Sequence, residues 1–285
     1  MTPMDMLMQS LWIFPIYSFL GWCLEVIFKA VQSGKFVNRG FLNGSVCPIY
    51  GIAAMLLIPI LTPVKYHLLL LFFGSVIVAS LLELIVGVLL KKCFHTSWWD
   101  YSHEPFNIGG YICLKFSLAW GVASVVLLRV IHPPIAEIVS LIPAPLLTAL
   151  LLVFYGGFIV DVTATVVTVL KFNRDLREIS HLAELIRRSS DRMTEGIGAP
   201  ALRTAERIRE SEFAEKAKEQ SARIQDTRER LQAKLEDFER LNSLLEKQNA
   251  IRSRLLRAFP RMKNLRDGGA LQEIKRRIQK RRGQK

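Results

Sequence analysis

Apolar residues in the first 171 positions do not alternate with polar ones; they run in long blocks separated by short polar segments. A bilayer crossing needs about 20 mostly apolar residues. Five blocks reach or approach that length: 7–31, 48–64, 66–90, 111–131 and 144–170. The second is the weakest, because it is short and holds Pro59 and Pro63, and it reads as a tilted or broken helix packed inside a bundle. No run alternates with period two, so the predicted class is all-α, a polytopic membrane protein of about five transmembrane helices.

After Lys171 the pattern becomes amphipathic. Leu176, Ile179, Leu182, Leu185 and Ile186 mark one face of a helix leaving the fifth block, and Gly196, Gly198 and Pro200 interrupt it. From Leu202 to Phe259 a second helix is expected, with Ile224, Leu231, Phe238 and Leu245 spaced by seven and Leu241 and Leu255 partly filling the companion line. That spacing predicts a long, partly coiled-coil tail. The expected divisions are a transmembrane domain 1–171, a helical extension 172–200, a coiled-coil helix 201–259 and a basic end 260–285.

Charge sharpens this division. Of 38 Lys and Arg residues, nine lie in 1–171, against seven Asp and Glu; the remainder of the chain carries the rest of the net +13. Around the spans the basic residues fall unevenly. Lys29, Lys35, Arg39, Lys91, Lys92 and Lys171 border one set of ends and only Lys65 and Arg129 the other, which predicts an outside N-terminus and a cytoplasmic tail. The first block has no basic segment before it and no small-residue cleavage site, so it is expected to stay in the mature protein. Beyond the lipid bilayer, the partners this pattern suggests are a second copy through the tail and anionic lipid at the basic end. Aromatic and basic residues do not interleave there, so nucleic acid is not expected.

Two polar loops face the predicted cytoplasmic side, Asn38–Gly51 and Cys93–Gly110. They share an outline, in which a helix bearing a glutamate (Glu25, Glu83) enters a loop with Asn and Gly, and a cysteine (Cys47, Cys113) opens the returning helix. This suggests a repeated helical hairpin. The four cysteines have no Cys-x-x-Cys spacing, so neither a disulfide framework nor a metal site is predicted, and no cofactor is implied. Nucleophilic use of Cys47 or Cys113 has no base placed beside it by sequence.

Ionisable residues inside spans cost about 2.5–3.5 kcal/mol each at a helix centre, which singles out Glu25, Glu83, Lys115 and Asp161. With Arg39 they are expected to form a polar cluster in the inner half of the bundle, the three acids compensated by Arg39 and Lys115. Glu83 and Asp161 are candidates for proton transfer. The plain structural alternative is pairing that only ties helices together. Trp98, Trp99 and Tyr101 read as an interfacial aromatic belt, with Asp100, His103 and Glu104 as a polar rim.

The ordered motifs Gly21-Trp22-x-x-Glu25, Asn38-Arg39-Gly40-Phe41-Leu42-x-Gly44, Cys47-Pro48-Ile49-Tyr50-Gly51, Trp99-Asp100-Tyr101-Ser102, Asn107, Gly109, Cys113-Leu114 and Trp120-Gly121 resemble a bacterial integral membrane family, the CmpB-like ABC-transporter type IV permeases. The resemblance runs from about residue 10 to 175 and departs at Ser45, where the family usually carries proline. It implies a site drawn from Glu25, Asn38, Arg39, Cys47, Tyr50, Asp100, Tyr101 and Asn107, in a multi-pass protein of the bacterial inner membrane. It also implies an ATPase, and no Gly-x-x-x-x-Gly-Lys-Ser/Thr occurs in this chain, so that subunit is expected to be a separate one. The expected function is a permease-like transport component rather than an enzyme. A membrane enzyme acting on a lipid-linked substrate, with Arg39 on a phosphate, and a scaffold signalling through the tail are the alternatives.

Overall fold

The computed structural model describes residues 3–198 and 250–283, with a few isolated positions between them. The predicted coiled coil falls almost wholly outside the described residues. The chain divides into two compact units, one of residues 1–171 with 249–266, the other of 172–248 with 267–285.

The first unit is a helical bundle. Helix α1 (Pro3–Ser33) pairs with α2 (Pro48–Leu61), which tightens into a 3₁₀ turn (Thr62–Val64). Helix α3 (Leu68–Phe94) pairs with α4 (Leu114–Val126), which continues through a π-helical turn (Leu127–Ile131) into α5 (His132–Ser140). Helix α6 (Ala144–Gly198) follows. Among the described residues, four stretches are long and apolar enough to cross a bilayer, Leu11–Gln32, Leu68–Phe94, Leu114–Ser140 and Ala144–Arg187. Pro48–Val64, the weakest of the five expected spans, is shorter. Large apolar side chains cover the outside, as Leu69, Phe73, Ile77, Leu81, Ile85 and Leu89 do along α3, a stripe repeating every four residues. A water-soluble bundle would bury such a stripe; in a multi-pass membrane protein it faces lipid.

The hairpins close through small residues. A methyl group on Gly51 would lie 2.6 Å from the Phe14 carbonyl oxygen and 2.2 Å from Ser18 Oγ, and one on Gly21 would lie 2.2 Å from the Tyr50 ring. Only hydrogen at these positions lets α1 and α2 approach so closely. At the end of the bundle away from the long loops, Tyr17, Leu57, Leu61, Leu71 and Leu128 form a core, Tyr17 meets His132 Nδ1 at 2.9 Å, and Arg129 Nε donates to the Lys65 carbonyl at 2.8 Å. The third crossing extends past residue 131, where hydropathy alone ends it, because Pro133 and Pro134 are carried in the first turn of α5 after the π-helical turn.

All-α needs one amendment. Among the described residues four two-residue strands occur, β1 (Thr96–Ser97), β2 (Asn107–Ile108), β3 (Ile112–Cys113) and β4 (Lys263–Asn264), pairing antiparallel as β2 with β3 and β1 with β4. Strands this short leave no periodic signature. The β1–β4 pair brings residues that follow helix α7 (Ala250–Ala258) onto the loop after α3. Helix α7 stops just before Phe259 and Pro260, as a residue preceding proline disfavours helix.

In the second unit, Phe172, Leu176, Ile179 and Leu182 on the extension of α6 are buried, an ion pair joins Arg240 to Glu178, and helix α8 (Gly268–Gly283) buries Ala270, Leu271 and Ile274. Of the face predicted from Leu176, Ile179, Leu182, Leu185 and Ile186, the first three are packed, while Ile186 is half-buried and Leu185 exposed.

Candidate functional site

Residues 34–47 connect α1 to α2 without regular structure, and side chains of the same segment hold them. Asn38 Oδ1 accepts from the Gly40 amide at 3.0 Å and the Trp22 indole at 2.8 Å, while its Nδ2 donates to the Asn43 carbonyl at 2.9 Å. Asp161 on α6 completes the closure. Its Oδ1 accepts from the Asn43 backbone (3.0 Å) and side chain (2.9 Å), and its Oδ2 from the Gly44 amide (2.7 Å). Thr165, one turn on and fully buried, also meets Oδ1 at 3.3 Å. Asp161 is therefore saturated by donors of the loop, an arrangement that ties the last crossing to the first hairpin.

Glu25 lies beside this loop. Arg39 Nη1 reaches Glu25 Oε2 at 3.3 Å, and the Tyr50 hydroxyl donates to Oε1 at 2.7 Å. The second hairpin repeats the theme, with the Tyr101 hydroxyl donating to Glu83 Oε1 at 3.2 Å. Trp120 joins the two, its ring meeting Tyr50 edge-on at 5.6 Å and its indole adding a donor toward Glu83. Glu83 is 8% exposed, and its Oε2 meets no donor among the described residues. Burial and the neighbouring Glu83 raise the Tyr101 phenol well above its ordinary range, so it remains a donor.

The expected charge pattern holds for Arg39 with Glu25 and differs for Lys115. Lys115 pairs with Glu104 at 3.8 Å in the second loop and not with an intramembrane acid, because it sits in the first turn of α4, level with that loop. Asn107 stays within the loop too, donating to the Glu104 carbonyl at 2.8 Å and accepting from Gly110 at 3.2 Å. Cys47 and Cys113 are buried at the start of their returning helices. Burial, and then Glu25, push the Cys47 thiol up to about 12, the reverse of what a nucleophile needs. No trio of His, Cys, Asp or Glu among the described residues is grouped to hold a metal ion.

Trp98 is not an interfacial anchor. It is 4% exposed, with Phe41 of the first loop 4.9 Å from its ring and Phe259 5.1 Å from it. Phe259 belongs to residues 250–266, which lie across both loops. Arg254 donates through Nη1 to the Gly40 carbonyl at 2.6 Å and through Nη2 to the Phe41 carbonyl at 2.8 Å. Lys263 pairs with Asp100, and the Leu265 amide donates to the His95 carbonyl at 2.9 Å. The hydrogen bond from Lys263 holds the Asp100 carboxyl well below the usual carboxylate range. Sequence reasoning missed Arg254 and Lys263, which look like any other cations of a basic tail. It placed Trp120 in a motif without seeing that it bridges the hairpins.

A family model described as "Putative ABC-transporter type IV" matches residues 12–166. The chain belongs to this family. No curated protein and no solved structure matches it. In this ABC-transporter type IV chain the matched segment contains both loops, both glutamates, Arg39 and Asp161, whereas Arg254, Phe259 and Lys263 lie beyond it.

Proposed function

We propose that the chain is the permease-like membrane component of a transporter, working with a separate ATPase subunit. Its five apolar blocks cross the inner membrane with the N-terminus outside and both long loops on the cytoplasmic side. Glu25, Arg39 and Tyr50 on one hairpin and Glu83 and Tyr101 on the other form its substrate or coupling site.

One observation carries this reading. Two carboxylates, from separate hairpins, are kept beneath the loops at a cost of several kcal/mol, and one oxygen of Glu83 is buried with no hydrogen bond among the described residues. A purely structural acid would be fully paired, as Asp161 is. An acid with one oxygen left without a hydrogen bond, between two hairpins, suits a group that binds a cation, a substrate or a proton during part of a cycle.

The test is purification of the tagged full chain from its native membrane. An ATPase subunit should accompany it in near-equal amount, and ATP hydrolysis by the pair in proteoliposomes should fall at least tenfold with Glu83→Gln while assembly persists. Purification without any ATPase, or undiminished hydrolysis in the variant, would remove the proposal.

A further inference from the structure

The contacts of residues 250–266 are those a bound peptide makes. A strand of two residues adds to β1, a guanidinium takes two consecutive main-chain carbonyls, an aromatic ring meets a buried tryptophan edge to face, and a lysine pairs with an aspartate at the rim. Main-chain pairing with pockets for alternate side chains is a general mode of peptide recognition.

The two loops they touch are closed by hydrogen bonds of their own, and the segment itself buries Leu255, Ala258 and Met262. The first loop is closed by Asn38, Asn43 and Asp161. The second is closed by Asp100 on the Ser102 amide at 3.0 Å, by Tyr101 N to the Gly110 carbonyl at 2.9 Å, and by Trp99 Nε1 to the Tyr111 carbonyl at 2.8 Å. None of these bonds involves residues 250–266. The acceptor lies inside the family-matched segment and its occupant outside it, separated from α6 by residues 199–249. Both loops are spanned at once, through Gly40 and Phe41 on one side and Thr96, Trp98 and Asp100 on the other.

We propose that the two loops form a docking surface for a basic-aromatic peptide segment, and that residues 250–266 are its resident, exchangeable ligand. The surface is a preformed receptor, and the chain carries its own occupant. Docked, the segment joins the two hairpins that carry Glu25 and Glu83 at their common end. Released, it leaves the loops free for a partner that presents the same arginine, aromatic and lysine pattern. The proposal rests on the loop geometry and is independent of the role given to the glutamates.

The experiment uses the full chain in lipid nanodiscs and a fluorescent synthetic peptide of residues 250–266. In the native chain the attached segment competes intramolecularly, an advantage of roughly 10²-fold or more. A chain carrying Arg254→Ala with Phe259→Ala should therefore bind the peptide saturably and at least tenfold more tightly than the native chain. Asp100→Lys added to that chain should weaken binding at least fivefold, and a peptide with Lys263→Asp should recover it. A second measurement covers loss of folding in the double variant. A full chain with Thr96→Cys alone should capture, in a dose-dependent disulfide, a peptide carrying Asn264→Cys, since these two positions are paired across the strands. Binding that is absent from the released chain, or no capture by Thr96→Cys where the intrachain Thr96→Cys/Asn264→Cys pair closes fully, would overturn the proposal and make the segment a fixed part of the fold.

Discussion

Asp161 and Glu83 look alike in the sequence, as single acids in apolar helices, and differ in what surrounds them. Asp161 receives two backbone amides and a side-chain amide from the first loop, so its charge is already used. Asp161→Asn keeps the shape and loses the charge-assisted bonds, and it places an amide donor against the Gly44 amide. A loss of about 2 kcal/mol is expected, seen as a lower melting temperature in detergent and faster amide exchange at Asn43 and Gly44. Thr165→Ala should cost less, because its hydroxyl is uncharged and makes only longer bonds, to Asp161 at 3.3 Å and from Asn43 Nδ2 at 3.1 Å. The sequence made these acids legible as costly, yet not their partners. A partner more than a hundred residues away depends on which turn of α6 faces the loop, and an all-apolar helix carries no periodicity to say so. Lys115 shows the reverse, a cation correctly singled out whose height at the helix start gives it a loop acid.

At the scale of elements, hydropathy located the four helices long and apolar enough to cross a bilayer, because lipid contact demands apolar residues on every exposed face. It misplaced the ends where other physics acts. Helix α6 runs on to Gly198, with Phe172, Leu176, Ile179 and Leu182 buried along its extension, and the third crossing continues through a π-helical turn into two prolines. The α1–α2 contact depends on Gly51, where an added methyl would press on main chain that cannot rotate away. Gly51→Ala should therefore cost about 2 kcal/mol through overpacking, measured as reduced folded yield by size-exclusion chromatography. Gly156→Ala serves as the control, since nothing lies within 4 Å of a methyl group there. The short strands escaped sequence reading because a pair of residues has no period, and β4 has no local feature separating it from basic surface.

For the whole molecule, orientation follows from where a single thiol lies. Cys93 is exposed near the end of α3 that leads into the second loop, while Cys47 and Cys113 are buried. With the loops cytoplasmic, a membrane-impermeant maleimide should label Cys93 in inverted vesicles and leave it unlabelled in intact cells lacking an outer barrier. The opposite pattern reverses the topology. The docked segment should also respond to pH in one direction. Asp100 is held below its ordinary range in the docked state, so its contribution is complete above about pH 4, the ordinary aspartate value, and is lost as pH falls through the depressed one. Cross-linking between positions 96 and 264 should stay constant from about pH 5 to 8 and decline only in stronger acid. Loss beginning near neutrality would point to another group.

The stripe on α3 from Leu69 to Leu89 covers about 30 Å at 1.5 Å per residue, the thickness of a bilayer's hydrocarbon core. Pro48–Val64, also lined outward by Ile52, Leu56 and Ile60, covers only about 25 Å. On the proposed five-crossing topology, the lipid beside it thins by several ångströms, or water follows the first loop inward toward Glu25. Each ångström of mismatch costs a fraction of a kcal/mol, so the protein should melt at higher temperature in bilayers of about 14-carbon chains than in those of about 20-carbon chains. Its surroundings would then carry a dimple on one side, and membrane thickness would become a variable to which the polar layer is directly exposed.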